Sequence, residues 1–150
     1  MDELIQKILA TILSVMPKSS LSEPFYLAVL KRLVSFGYFP KEDDSWMVCF
    51  AIQKVENRIK NSCNTTSVQE GLFNIAVDMV CGEFLLAKKQ TGKLSLNDLD
   101  LSGAITSIKE GDIQVNFGNG SSDAERFNDF LNYLLHHGEG EFVCYRKIKW

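Results

Sequence analysis

From about residue 68 to 90 the chain carries Leu72, Phe73, Ile75, Ala76, Val77, Met79, Val80, Phe84, Leu85 and Leu86, which helical spacing distributes over more than one side of a single helix. A helix with one apolar stripe lies on a core, whereas one that is apolar nearly all round has to be enclosed by its neighbours. This segment therefore dictates the fold class, because other helices must surround it. Ser67 and Glu70 form an S-x-x-E capping box ahead of it, and Thr91-Gly92 ends it. Asp78 is the anomaly inside the segment. A lone buried carboxylate is costly, so a basic group or a cap is expected beside it.

The candidates to surround this helix are amphipathic. Residues 2–16 place Leu4, Ile5, Ile8, Leu9, Ile12, Leu13 and Met16 at 3.6-residue spacing, and Pro17 stops them. After the linker KSSLSEP, residues 25–36 form a second helix with Phe25, Leu27, Ala28, Leu30, Leu33 and Val34 as its apolar set; Gly37 and Pro40 follow as stop signals. KEDDSW opens a third helix, where Asp43, Asp44 and Ser45 offer N-cap oxygens and negative charge at the positive end of the dipole. Its apolar side is assigned to Trp46, Cys49, Phe50, Ile52, Val55 and Ile59, its solvated side to Glu56, Arg58 and Lys60. NSCNTTS breaks the chain. A last helix follows a second capping box, Ser122 with Glu125, and sets Phe127, Phe130, Leu131, Leu134 and Leu135 on one face. His136 and His137 fall in its last turn, and Gly138 reads as the residue just past its end.

Between the fourth and last helices the pattern changes to a period of two. ITSIKEGDIQVNF, residues 105–117, reads as two strands about a turn at Glu110, Gly111 and Asp112. The final residues, EFVCYRKIKW, alternate apolar and basic side chains. The expected fold is mainly α: a bundle of about four to five helices with one β-hairpin and an extended C-terminal tail. Residues 1–150 make one domain, with an N-terminal helix in 1–20, a core in 41–137 that includes the hairpin at 105–117, and a C-terminal arm at 141–150. A two-stranded hairpin is barely stable in water. This one needs support from its own helices, from neighbouring copies, or from the tail folded back as a third strand.

Bulk chemistry removes several function classes. The net charge of −3 leaves no basic footprint for non-specific duplex binding. No apolar run approaches the roughly 18 to 20 residues of a membrane span, and Asp2 and Glu3 stand where an export signal wants positive charge. Cys49, Cys63, Cys81 and Cys144 contain no CxxC pair and read as reduced structural thiols, with Cys49 and Cys81 inside apolar helical patterns. No phosphate-loop, dinucleotide, zinc-protease, nucleophile-elbow or calcium-loop pattern occurs. GNGSS at 118–122 lacks the lysine of a phosphate loop and is explained as a strand end and helix cap. Adjacent histidines on a helix point about 100° apart, so His136 and His137 are placed at the negative dipole end, not on one metal ion. No catalytic, cofactor or metal residues are assigned.

Three stretches resemble one family in order and spacing: VENRIKNSCNTTSVQEGLFNIAVDMVCGEFL at 55–85, ITSIKEGDIQVNFG at 105–118, and FNDFLNYLLHHGEGEFVCYRKIKW at 127–150. They are similar to the head–tail connector proteins of tailed bacteriophages and related prophage elements, also called adaptor or head-completion proteins. The similarity rests on the RIKN-C helix end, the EGL helix start, the SIKEGD turn and the YRKI-W terminus, and spans roughly residues 41–150. The resemblance implies a structural virion protein, not an enzyme, made in the bacterial host cytoplasm and located in the neck at the portal vertex. It implies a homo-oligomeric ring of about twelve copies that extends the DNA channel without specific DNA binding. The implied partners are the portal protein, the next neck or tail-completion protein, and further copies of the chain, with no membrane. Phe142, Val143, Tyr145, Arg146, Lys147, Ile148, Lys149 and Trp150 would form the portal-binding arm. Ile105, Ile108, Lys109, Glu110, Asp112, Val115 and Phe117 would form a subunit interface or channel wall. The alternatives are a stopper or tail-completion neck protein, a small helical nucleic-acid-binding regulator, for which AVLKRLVSF is too apolar, a small enzyme, for which no nucleophile–base pair is legible, and a generic helical interaction module.

Overall fold

The computed structural model of the chain describes residues 2–16, 19, 21–94 and 123–148. Within them lie five long helices: α1 (Asp2–Val15), α2 (Glu23–Ser35), α3 (Ser45–Cys63), α4 (Phe73–Gln90) and α5 (Asp123–His136), followed by one helical turn, α6 (Phe142–Tyr145). No strand occurs among the described residues. The expected hairpin, with Ile105, Ile108, Lys109, Glu110, Asp112, Val115 and Phe117, lies outside them, as do Ser122 of the second capping box and Lys149 and Trp150 of the tail.

α4 is the enclosed helix that its sequence demands. It packs against α2, α3 and α5, and α1 lies on α2 and α3. Ala76, Val77, Met79, Val80, Cys81, Phe84 and Leu85 are buried, and even Asp78 and Glu83 are only partly exposed. All five long helices feed one continuous core. Edge-to-face aromatic pairs cross the helix boundaries: Phe25 with Phe73 at 5.4 Å and Phe36 with Phe130 at 5.0 Å between ring centres. Gly82 permits a close approach of α4 to α5, since a Cβ there would stand 3.0 Å from Leu134 Cβ.

The helix ends hold both agreements and corrections. α2 stops at a left-handed Gly37 (φ 88°), with Gly37 N–H donating to Val34 O at 2.9 Å and Tyr38 N–H to Leu33 O at 3.0 Å. Tyr26 and Val29 join the buried face of α2 expected from Phe25, Leu30 and Leu33. α3 ends at Asn64 in the left-handed region (φ 55°). The Ser67–Glu70 capping box does not form. The chain instead makes a 3-10 turn over Glu70–Leu72 that has no side-chain cap, and α4 starts at Phe73. Gly71 in this turn lies against the Tyr145 ring of the tail, with no room for a Cβ. Gly138 is likewise no left-handed stop; its φ is −98°. It is glycine because a Cβ would lie 2.1 Å from Ile75 Cγ2.

Two predictions follow from this packing. Gly138→Ala drives a methyl into Ile75 close to the α4 backbone, so it should destabilise the fold by roughly 1–3 kcal/mol, read as a lower urea midpoint with unchanged slope. Cys49, Cys63 and Cys81 are buried and Cys144 is exposed. Burial pushes all three buried thiols up, Cys81 the furthest. A thiol-reactive dye should therefore label Cys144 rapidly in the native protein and the other three only on unfolding.

Candidate functional site

The tail departs from the expected extended arm. After α5 the chain makes a 3-10 turn over Glu139–Glu141 and then α6, and only from Arg146 onward is it extended. The expected arm residues thus divide into two sets. Phe142 is part of the core, and its carbonyl accepts the Cys63 thiol at 3.6 Å. Tyr145 is half-buried over Gly71. Arg146 Nε donates to Ser62 O at 3.2 Å, Lys147 N–H to Cys63 O at 2.7 Å, and Asn64 Nδ2 to Lys147 O at 2.9 Å. The first two satisfy carbonyls that the end of α3 would otherwise leave open, and the third ties the Lys147 carbonyl of the tail to Asn64. The described tail is therefore seated on the C-terminal end of α3 and adds no third strand to a sheet. Val143 and Ile148 are the apolar members that stay outside, at 72% and 75% exposure, beside the exposed Arg146 and Lys147.

A second exposed apolar surface lies at the opposite end of the same helix. Trp46 and Phe50, assigned by sequence to the apolar side of α3, are 59% and 65% exposed. Of the expected set Cys49, Ile52, Val55 and Ile59 are buried, and Val48, Ala51, Glu56 and Cys63 join them in place of Trp46 and Phe50. With Glu56 read as outward, Trp46 and Phe50 widened the stripe of Cys49, Ile52, Val55 and Ile59 on the wrong edge. Glu56 is in fact accepted into the structure by partners: Ser19 Oγ donates to its Oε2 at 2.8 Å, and Lys60 Nζ lies 3.2 Å from its Oε1.

Asp44 precedes α3 but does not cap it with its side chain. It is 4% exposed and serves as an acceptor hub. The Tyr38 hydroxyl donates to Oδ2 at 2.7 Å, the Lys41 N–H to the same oxygen at 3.0 Å, and Lys88 Nζ to Oδ1 at 2.9 Å. Lys88 itself is 8% exposed near the end of α4. The hub therefore fastens the α2–α3 connection to α4. Burial pushes the Asp44 carboxyl up, but the Lys88 hydrogen bond, the Lys41 N–H, the Tyr38 hydroxyl and the Lys88 charge together outweigh it and hold the group below the ordinary carboxylate range. Asp78 has the partners its position demanded: Arg32 Nε at 3.1 Å from Oδ1 and His137 Nε2 at 3.0 Å from Oδ2. His136 turns to Glu139 at 2.8 Å, and Glu139 also meets Arg58. The two histidines serve different carboxylates, and no group of three or more metal-ligating side chains occurs among the described residues. An open cleft of about 560 Å³ between α2 and α4 is lined by Ala28, Lys31, Arg32, Ser35, Asn74, Val77 and Asp78. No helix of the described residues is long and apolar enough to cross a membrane.

The hub generates a pH prediction. A carboxyl whose folded pKa is depressed contributes stability that is present above the unfolded value of about 4 and is lost as pH falls through the folded value. Native stability should therefore drop on acidification below about pH 5. Lys88→Met leaves Asp44 buried without its cation and should cost roughly 3–5 kcal/mol at neutral pH. Part of that cost should be recovered in acid, because the carboxyl can then protonate. Urea unfolding of both proteins at neutral and acid pH checks this; a Lys88→Met penalty independent of pH would contradict the assignment.

Comparison of the chain with protein-family models, with curated proteins and with solved structures finds no match.

Proposed function

We propose that the chain is a structural virion protein, a head–tail connector that forms a ring between the portal and the neck or tail of a bacteriophage or prophage particle. The support is the ordered resemblance of residues 55–85, 105–118 and 127–150 to that family, together with one structural observation: the shape of the tail. A segment that only closed the core would end in buried or polar groups. This one is braced from Phe142 to Lys147 against the end of α3, yet holds Val143 and Ile148 outward with Arg146 and Lys147 beside them. Exposed apolar side chains on a pre-organised seat suit a docking anchor, because little ordering entropy remains to be lost on binding. The neighbouring cations suit an acidic receptor surface. In this reading Val143, Ile148, Lys149 and Trp150 make the apolar and terminal contacts with the portal, while Phe142 and Tyr145 hold the anchor in place. The hairpin expected at 105–117 belongs to the same proposal, as an element between neighbouring copies or on the channel wall. An edge strand is a ready template for another chain.

The test is capture by a portal ring from the phage or prophage that encodes this chain. Deleting from Phe142 onward would remove a core side chain, so the informative truncation keeps residues 1–147. Full-length chain should bind. The truncation and Val143→Asp should each lose at least about tenfold in affinity, on the scale of an anchor residue, while keeping the native unfolding midpoint. A folded full-length chain that does not bind the portal overturns the portal-adaptor reading.

A further inference from the structure

We propose that α3 carries a self-complementary surface through which two copies of the chain pair about a two-fold axis. The inference goes beyond the connector reading and does not depend on it. Glu42, Trp46, Phe50 and Lys54 are spaced four residues apart, and all four are exposed. They form one ridge that begins in the 3-10 turn Glu42–Asp44 and continues along α3. Read along the helix, the ridge is carboxylate, indole, phenyl, ammonium. An antiparallel copy centred at Val48 presents the reverse order. Trp46 then faces Phe50 of the partner copy and Phe50 faces its Trp46, while each Glu42 faces a Lys54. The ridge is thus its own complement in both apolar surface and charge, as an isologous contact requires. Packing of i±4 ridges is also the commonest way for two helices to meet.

The exposures support the contact. Trp46 and Phe50 are 59% and 65% exposed, and the Glu42 and Lys54 side chains are 59% and 67% exposed. Within one copy, Glu42 lies 3.7 Å from Lys7 and Lys54 lies 3.1 Å from Glu83. The Glu42–Lys7 pair is solvated and worth little, whereas the Glu83 side chain is only 13% exposed, so Lys54 must serve it and Glu42 of the second copy together. Two indoles and two phenyl rings, each already part-buried, add roughly 500 Å² of aromatic contact. That lies below the standard size for a specific complex, so the dimer is weak and concentration-dependent. An isologous contact stops at two copies and does not build a ring by itself. Its place is in the free protein, or between two rings set face to face.

Sedimentation equilibrium of the full chain over about 1–200 μM tests this, a range that spans weak specific dimers. The expected result is a reversible monomer–dimer equilibrium. Trp46→Ser with Phe50→Ser should be monomeric throughout with an unchanged unfolding midpoint, since both side chains are outside the core. Glu42→Lys and Lys54→Glu should each weaken the dimer at least tenfold by placing like charges opposite one another, and the double variant should recover most of the wild-type affinity. A chain that stays monomeric at the highest concentration overturns the proposal. So does assembly past the dimer that depends on Trp46 and Phe50, or a double charge swap that fails to recover. Portal capture of the Trp46→Ser, Phe50→Ser protein separates the two readings: retained binding there with a lost dimer leaves the connector proposal standing, whatever the fate of this one.

Discussion

The enclosure of α4 is the constraint on which the rest of this structure depends. Its apolar residues point to every side, so α2, α3 and α5 must all lie against it, and α1 is placed by what α2 and α3 leave open. Close packing then sets the exceptional residues around it. Gly82 lets α5 approach, Gly138 clears Ile75, and Gly71 makes room for Tyr145. The buried polar groups follow the same logic. A carboxylate beside α4 persists only where donors meet it, and Asp44 and Asp78 each receive a cation from another element: Lys88 in one case, Arg32 in the other.

Much of this was legible in the residues themselves. The stripes of α1 and α5 are narrow and regular, and Ile5, Ile8, Leu9 and Ile12, like Phe127, Phe130, Leu131 and Leu134, are buried as their spacing requires. Gly37 and Gly92 stop their helices with positive φ. The partner demanded by Asp78 exists. What was not legible has a common physical cause, which is that tertiary packing chose between options of equal local merit. On α3 the stripe of Cys49, Ile52, Val55 and Ile59 was legible, but periodicity alone cannot say whether it widens to Trp46 and Phe50 or to Val48 and Ala51, nor that Glu56 beside it is satisfied. Asp44 is as good an N-cap by sequence as it is a hub; the approach of Lys88 and Tyr38 decides. Ser67 and Glu70 had the spacing of a capping box, but the turn closes through Leu72 N–H to Gln69 O, with Tyr145, distant in sequence, packed on Gly71. Gly138 looked like a helix stop and turned out to be a clearance.

The exposure of Trp46 and Phe50, the two members of the expected α3 stripe that stay outside, is informative. A tryptophan and a phenylalanine that a protein leaves in water are exceptions to burial on folding, and scattered exposed apolar residues do not form a ridge with charges of opposite sign at its two ends. A helix whose core-facing side packs on α4 and α1 still offers Trp46 and Phe50 outward. Their exposure as one ridge is an argument for a contact outside the monomer.

The same helix therefore serves two outward surfaces. The Trp46–Phe50 ridge lies near its N-terminal end, and the tail is bound at Ser62, Cys63 and Asn64 at its C-terminal end. With a rise of about 1.5 Å per residue the two are roughly 24 Å apart. Sites so separated, with no shared side chain, should respond to substitution independently. That separation has a mechanical consequence as well. α3 is a rigid strut packed along α4, so a partner held by the tail and a copy held by the ridge would be set at a fixed distance and angle by the bundle core, not by a flexible linker. A small helical protein with an enclosed central helix can act as a spacer for this reason: its outer helices cannot shift against one another without opening the core around α4.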